Sequence, residues 1–370
     1  MKKLTLLNLH GSFKYNTDIE HFFVNALGNI VKDTISKAVN LKDIDDYFIV
    51  SNNKNFLEDV KKEFPVCTEY VNTDKRFNFG EVIKRLINKH KWEKLFYIGA
   101  GAAPLITKKE LASIAQKIKK KENIIIANNF YSSDFFAVSP AKKWNKISPL
   151  PGMDNPFAYK LKQAGNLESI KVKPSLGTFL DIDSPVDLTI LKMHPEKGKF
   201  IKEFLDKYDL PIKKIKKTLP FFYDPFSEVF ISGRIGSIIP NFLIQKAKCR
   251  FRLLSEECGM RAWGRESRGE VFSYLGELIE KIGFGKFFKF LSKTSKAAFI
   301  DTRVLFAHKK LKVSRADRFY SDMGEYNKIK EKYAKELTYE AEMAGIPVVL
   351  GGHSLISGGL YTLIESGELL

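Results

Sequence analysis

Two aspartates one residue apart, Asp181 and Asp183, open the segment DIDSPVDL (181–188) and are candidates to hold a divalent cation. Side chains alternate in an extended segment, so both carboxylates would point to one face. Magnesium takes oxygen ligands, usually one or two carboxylates together with substrate phosphates. A structural use is also open. Ser184, Pro185 and Asp187 make a good helix start, with proline at the first helical position and carboxylates near the positive end of the dipole. Capping would occupy Asp183 and Asp187 and leave Asp181 unexplained.

The cations are distributed unevenly. Fifty lysines are scattered over the chain, whereas nine of its eleven arginines lie between Arg234 and Arg318. Arginine presents a planar fork that matches phosphate and carboxylate, so Arg250, Arg252, Arg261, Arg265, Arg303 and Arg318 are candidate contacts to an anionic ligand. Ion pairs with nearby acids such as Glu256 and Glu257 are the alternative.

Glycine turns supply the third kind of candidate. Residues 95–107, LFYIGAGAAPLIT, read as a short apolar strand, a turn at Gly99 and Gly101, and a helix starting from Thr107 as N-cap. An earlier strand at 4–9 runs into a loop holding His10, Gly11 and Lys14. A strand at 123–127 runs into Asn128 and Asn129, and one at 346–350 into Gly351, Gly352, His353 and Ser354. In an open α/β sheet, ligands gather outside the carboxyl ends of such strands, and backbone N–H groups at the following helix approach an anion. These residues are therefore candidate nucleotide contacts, with His353 a candidate acid or base. GGHSLISGG is not a nucleophile elbow, because that motif requires a glycine two residues after the serine and Ile356 stands there. Neither His308 nor His353 has a cysteine or second histidine at metal-ligand spacing.

The elements that would position these residues alternate between strand and helix. Strands are expected at 4–9, 47–50, 66–71, 95–98, 123–127 and 135–138. Helices are expected at 18–39, with a break near Gly28, and at 55–64, 79–89, 107–121 and 157–164. A lysine-rich helix at 199–208 and the prolines Pro211 and Pro220 lead to a second series. Its strands are expected at 229–232, 249–254, 297–302 and 346–350, and its helices at 271–291, broken near Gly283, and at 326–344. The domain boundary falls near Met193, giving domains 1–193 and 194–370.

The first half, by its order of elements, its APLIT segment after the fourth strand and its DIDSPVDL, resembles nucleotidyltransferases related to molybdenum-cofactor guanylyltransferase. The resemblance covers about residues 1–192. It implies a Rossmann-like, GT-A-type mixed sheet with helices on both faces, beside a second α/β domain, and a metal-binding aspartate in DIDSPVDL. The chain departs from the family at two places. The loop at 10–14 has one glycine and no arginine, and Ala102 and Ala103 stand where members carry a metal-binding aspartate. The second half is similar only to uncharacterised proteins in which such a domain carries an arginine-rich extension.

The chain has 370 residues, 44% of them hydrophobic and 28% charged, an ordinary globular composition with a net charge of +18. No stretch is apolar enough to span a membrane, and the start is too short in apolar residues for a signal peptide, so a cytoplasmic location is expected. Three cysteines, Cys67, Cys249 and Cys258, lack zinc spacing and are expected as buried thiols. Nucleic-acid binding is disfavoured, for want of a recognisable module or a basic strip interleaved with aromatics. The expected function is binding of a nucleoside triphosphate or phosphorylated small molecule in a cleft between the domains, with magnesium at Asp181 and Asp183 and nucleotidyl transfer as the reaction. A catalytically degenerate anion-binding protein and an RNA-associated protein are the alternatives.

Overall fold

The computed structural model describes residues 2–11, 14–72 and 77–367; Ser12 and Phe13 of the first loop lie outside the described residues. Two compact units divide the chain. The first comprises residues 1–16, 24–179 and 198–204, and the second 17–23, 180–197 and 205–370. The boundary drawn near residue 193 from the sequence thus differs from the division by contacts, which groups DIDSPVDL with the second unit.

The first unit is built on β1 (Leu4–His10), β2 (Asp46–Ser51), β3 (Cys67–Tyr70), β4 (Lys94–Gly99), β5 (Ile124–Ala127), β6 (Phe135–Ser139) and β7 (Glu168–Lys171). They form one sheet in the order β3-β2-β1-β4-β6-β5-β7. Only β6 runs against the others, pairing antiparallel with both β4 and β5. This is the mixed α/β, Rossmann-like architecture expected from the sequence. Every residue of β1 is buried, as a central strand covered on both faces must be. Its alternation divides the apolar side chains: Leu7 and Leu9 enter a core with Phe79, Trp144 and Phe157, whereas Leu4 and Leu6 enter the opposite one with Ile106 and Ile114.

Local rules account for the helix boundaries that matter. Thr107 caps the helix Lys108–Lys120 by a reciprocal capping box with Glu110, an arrangement stabilising by about 1 kcal/mol. The helix Asp18–Ala38 is continuous, without the break expected at Gly28. There the missing side chain is used for packing, since a Cβ would stand 3.0 Å from the Phe56 ring. β7 was not anticipated: ESIK is a short polar edge strand with no residue fully buried.

Among the described residues the second unit has four strands, β8 (Glu228–Gly233), β9 (Arg250–Ser255), β10 (Ala297–Asp301) and β11 (Val348–Gly351), in the order β11-β10-β8-β9. All three pairings are parallel. Each connection is therefore a crossover filled by helices, including Ile238–Lys246, Phe284–Thr294, Arg315–Asp322 and Lys332–Glu342. The core gathers Phe287, Phe288, Leu291, Ile300, Leu337 and Leu350. Successive strands leave β8 in opposite directions, to β9 on one side and β10 on the other. The gap between the ends of β8 and β10 is thus the switch point of this sheet.

Among the described residues no helix is long and apolar enough to cross a membrane. Of the cysteines only Cys249 is buried; Cys67 and Cys258 are exposed, and all three are free thiols.

Candidate functional site

At the strand ends of the first unit, the candidate residues serve the backbone. His10 closes β1 with both ring nitrogens engaged, Nδ1 with Ser51 Oγ and Nε2 with the Val24 carbonyl, each at 2.9 Å. The carbonyl can only accept, so Nε2 carries the proton and Nδ1 accepts from the Ser51 hydroxyl. Burial holds this ring neutral, with its pKa lowered to about 4. Gly11 adopts φ +68°, and a Cβ there would stand 2.3 Å from Asn52 Oδ1.

Asn128 knots the β5–β6 loop, donating to Asp134 Oδ2 at 2.7 Å and accepting from Asp134 N, while Asn129 Oδ1 accepts from Tyr131 N. Gly99 donates its N–H to Asp134 O; Gly101 lies in the turn beyond it, and Lys14 is exposed in the loop after β1. Ala102 and Ala103, where the family resemblance would place a carboxylate, are both buried in apolar core. Ala103 takes φ +50°, a conformation uncommon outside glycine.

The charges converge in the second unit, at the switch point. Arg234 follows β8 and forks onto Asp301 at the end of β10, with Nη2 3.0 Å from Oδ1. Gly233 permits this: its φ is +124°, and a Cβ would lie 2.4 Å from Asp301 Cβ. Asp301 also caps the helix Thr302–His308, accepting from Arg303 N at 3.1 Å. Burial alone would raise its pKa, but Arg234, Arg303 and His353 outweigh it and hold the carboxylate below its usual range. Arg303, itself buried, forks onto Asp322 (Nη1–Oδ1 2.6 Å) and donates to the Gly351 carbonyl at 3.3 Å. The carboxylates of Asp301 and Asp322 are both fully buried and each is held by one arginine fork; leaving a buried carboxylate unpaired costs about 3–5 kcal/mol.

DIDSPVDL joins the same place. Its Asp187 is fully buried, and Oδ2 accepts from Ser184 N (2.8 Å), Ser184 Oγ (3.0 Å) and Asp183 N (3.1 Å), closing the capping box of the helix Pro185–Met193. Its Oδ1 is buried without a hydrogen-bond partner among the described residues. Burial first, then Asp183, pushes this carboxyl well above the usual range, toward its neutral form. Asp183 is exposed and electrostatically coupled to Arg234 and His353. The Asp181 carbonyl accepts from Ser354 Oγ, tying DIDSPVDL to the loop after β11.

His353 in that loop donates Nδ1–H to the Arg234 carbonyl at 2.8 Å, which leaves Nε2 as the acceptor of the neutral ring. Burial and Arg234 lower its pKa while Asp301 and Asp183 raise it, with a net lowering. Gly351 is required by packing, a Cβ there meeting Leu355 at 2.7 Å, whereas Gly352 lies over the Arg303 guanidinium. The chain then makes a π-helical turn, Leu355–Gly359, of the kind frequent at functional sites.

The remaining candidates lie apart from this convergence or are spent on ion pairs. Arg252 and Arg250 are exposed on the edge strand β9, the former bonded to Glu228 at 3.0 Å. Arg265 forks onto Glu257 at 2.8 and 2.9 Å, and Arg261 Nε donates to Glu266 at 2.8 Å. Arg318, on the helix Arg315–Asp322, is different. Half-buried, its side chain has no hydrogen-bond or ion-pair partner among the described residues, and Arg303, Arg261 and Arg315 bear on it. Burial and these like charges lower its pKa to about 10. Sequence reasoning singled out Arg303 and Arg318 but not Arg234, Asp301 or Asp322 as site residues; their signal was position, directly after a strand or at the end of the RADRFYSD helix.

Asp301 and Asp322 are taken by arginine forks, Asp187 by its cap, and the exposed carboxylate of Asp183 stands beside Arg234. Elsewhere, Glu277, Glu280 and His308 bring three ligand-type atoms within 4.8 Å of one another. His308 Nδ1, however, accepts from Ser273 N–H at 3.2 Å, so the neutral ring carries its proton on Nε2 and offers a cation no lone pair.

No family model matches the chain, and no curated protein is similar to it. Among solved structures, a cytidylyltransferase from Leptospira borgpetersenii is similar over 56% of this chain and 95% of its own, at 13% identity and a TM-score of 0.38. A nucleotidyl transferase from Methanothermobacter is similar over 56% and 99%, at 11% identity and 0.38. A 4-diphosphocytidyl-2C-methyl-D-erythritol synthase from Anaerococcus prevotii is similar over 50% and 94%, at 13% identity and 0.36. These are partial likenesses at low identity, and the site is read from its own residues.

Proposed function

We propose that the chain binds a nucleotide or another phosphorylated small molecule at the carboxyl end of the parallel sheet of the second unit, with nucleotidyl or phosphoryl transfer as its reaction class. One observation carries this reading: Arg234, Arg303, Arg318, Asp183 and His353 collect at or beside the switch point between β8 and β10. That is where an open parallel sheet receives its ligand. Arginines fixed in advance by buried carboxylates would neutralise charge on a phosphoryl group without reorganising. His353 Nε2 and Asp183 are the groups that could accept a proton. Magnesium would enter with the ligand, held by its phosphates and Asp183.

A second reading, an anion-binding protein without transferase chemistry, is favoured by Ala102 and Ala103, buried where the resemblance calls for a carboxylate. A thermal-shift panel of the four nucleoside triphosphates and several sugar nucleotides, each with and without magnesium, separates the two. A ligand at one hundred times its Kd adds about 2.7 kcal/mol. A shift that needs magnesium supports transfer and a shift without it supports binding alone. Silence across the whole panel overturns both.

A further inference from the structure

Resting on that reading of the site, we infer that Arg318 is the ligand's phosphate-binding residue, held uncompensated in the free protein to accept a phosphate dianion. The geometry separates it from its neighbours. Arg234 and Arg303 spend their forks on Asp301 and Asp322. Arg261 gives its Nε to Glu266, and Arg315 faces Glu20. Arg318 is half-buried beside Arg303, Arg261 and Arg315, and no described residue pairs with it. The acid that bears on it, Asp322, is already forked by Arg303.

A half-buried guanidinium is costly unless paired, and like charges beside it add to that cost. A neutral residue would fill this half-buried position at lower cost, so the charge is explained by what it receives. A phosphate gives two oxygens to the free fork and keeps a third acceptor beyond it, one more than a carboxylate has. The site therefore takes a phosphate monoester or diphosphate in preference to a carboxylate.

The test compares the intact wild-type protein with Arg318→Gln, using inorganic pyrophosphate as probe, acetate at matched ionic strength as the carboxylate control, and Arg252→Gln as the exposed-arginine control. Wild type should bind pyrophosphate and ignore acetate. Arg318→Gln should raise the melting midpoint of the free protein by about 2–4 °C while weakening pyrophosphate roughly 10- to 100-fold. Arg252→Gln should change neither. A lowered midpoint or a failure to fold in Arg318→Gln assigns Arg318 to the structure and overturns the inference. So does unaltered pyrophosphate affinity, and in both cases the broader reading survives. If wild type binds neither pyrophosphate nor any nucleotide, that broader reading falls first.

Discussion

His10 shows what a single residue at a strand end can hide. Its type and position invite a ligand, yet both ring nitrogens are occupied and the Phe56 ring lies 4.1 Å away, centroid to centroid. Because the folded pKa is about 4 against a reference near 6.5, the folded state holds fewer protons than the unfolded one between those values. Stability from the neutral ring is complete above pH 6.5 and is lost as pH falls toward 4, by up to about 3 kcal/mol. Denaturant midpoints measured from pH 8 to pH 4 should fall more steeply for wild type than for His10→Gln. Parallel curves would remove His10 as a source of acid sensitivity. Arg318 is the opposite case, a residue whose cost appears in the free protein and whose return comes only with a ligand. Which acid pairs with which arginine was not legible in the sequence, because Arg234 meets Asp301 and Arg303 meets Asp322 across the fold.

At the level of elements, most strands and the glycine turns after them were legible, since short apolar runs bounded by glycine and asparagine leave few alternatives. The failures have physical causes. β7 is too polar and too short to stand out. The helix Arg315–Asp322 reads as a run of charges until its buried Asp317 and Phe319 are known. The helix Ile238–Lys246, with a proline in its first turn, gives weak helical periodicity. DIDSPVDL was legible as a helix start but not as part of the second unit, because nothing local records which sheet it packs beside. The turn after β8 is the most exacting element: Gly233→Ala would have to place a Cβ at φ +124° and 2.4 Å from Asp301. We expect a loss of more than about 2 kcal/mol in urea unfolding, together with loss of the pyrophosphate response as Asp301 and Arg234 part. A variant of wild-type stability that still responds would show that this turn does not hold the site.

For the whole molecule, the division by contacts is not a division of the sequence. The first unit takes back residues 198–204, whose Phe200 and Ile201 N–H groups cap onto Asp33 at 3.0 and 2.9 Å. The second takes 17–23 and 180–197. Cutting at residue 193 therefore strips both products, and fragments 1–193 and 194–370 should each lack the cooperative thermal transition of the intact chain, read by circular dichroism. A sharp, reversible transition in either fragment would contradict this. The interleaving also sets a clock during synthesis. Phe23 is made early, but its ring partner Phe319, 4.7 Å away between centroids, follows only after most of the chain. At about 5–20 residues per second the wait is on the order of 15–60 s. Through that interval the first helix carries Phe23 without the ring it packs against in the folded protein.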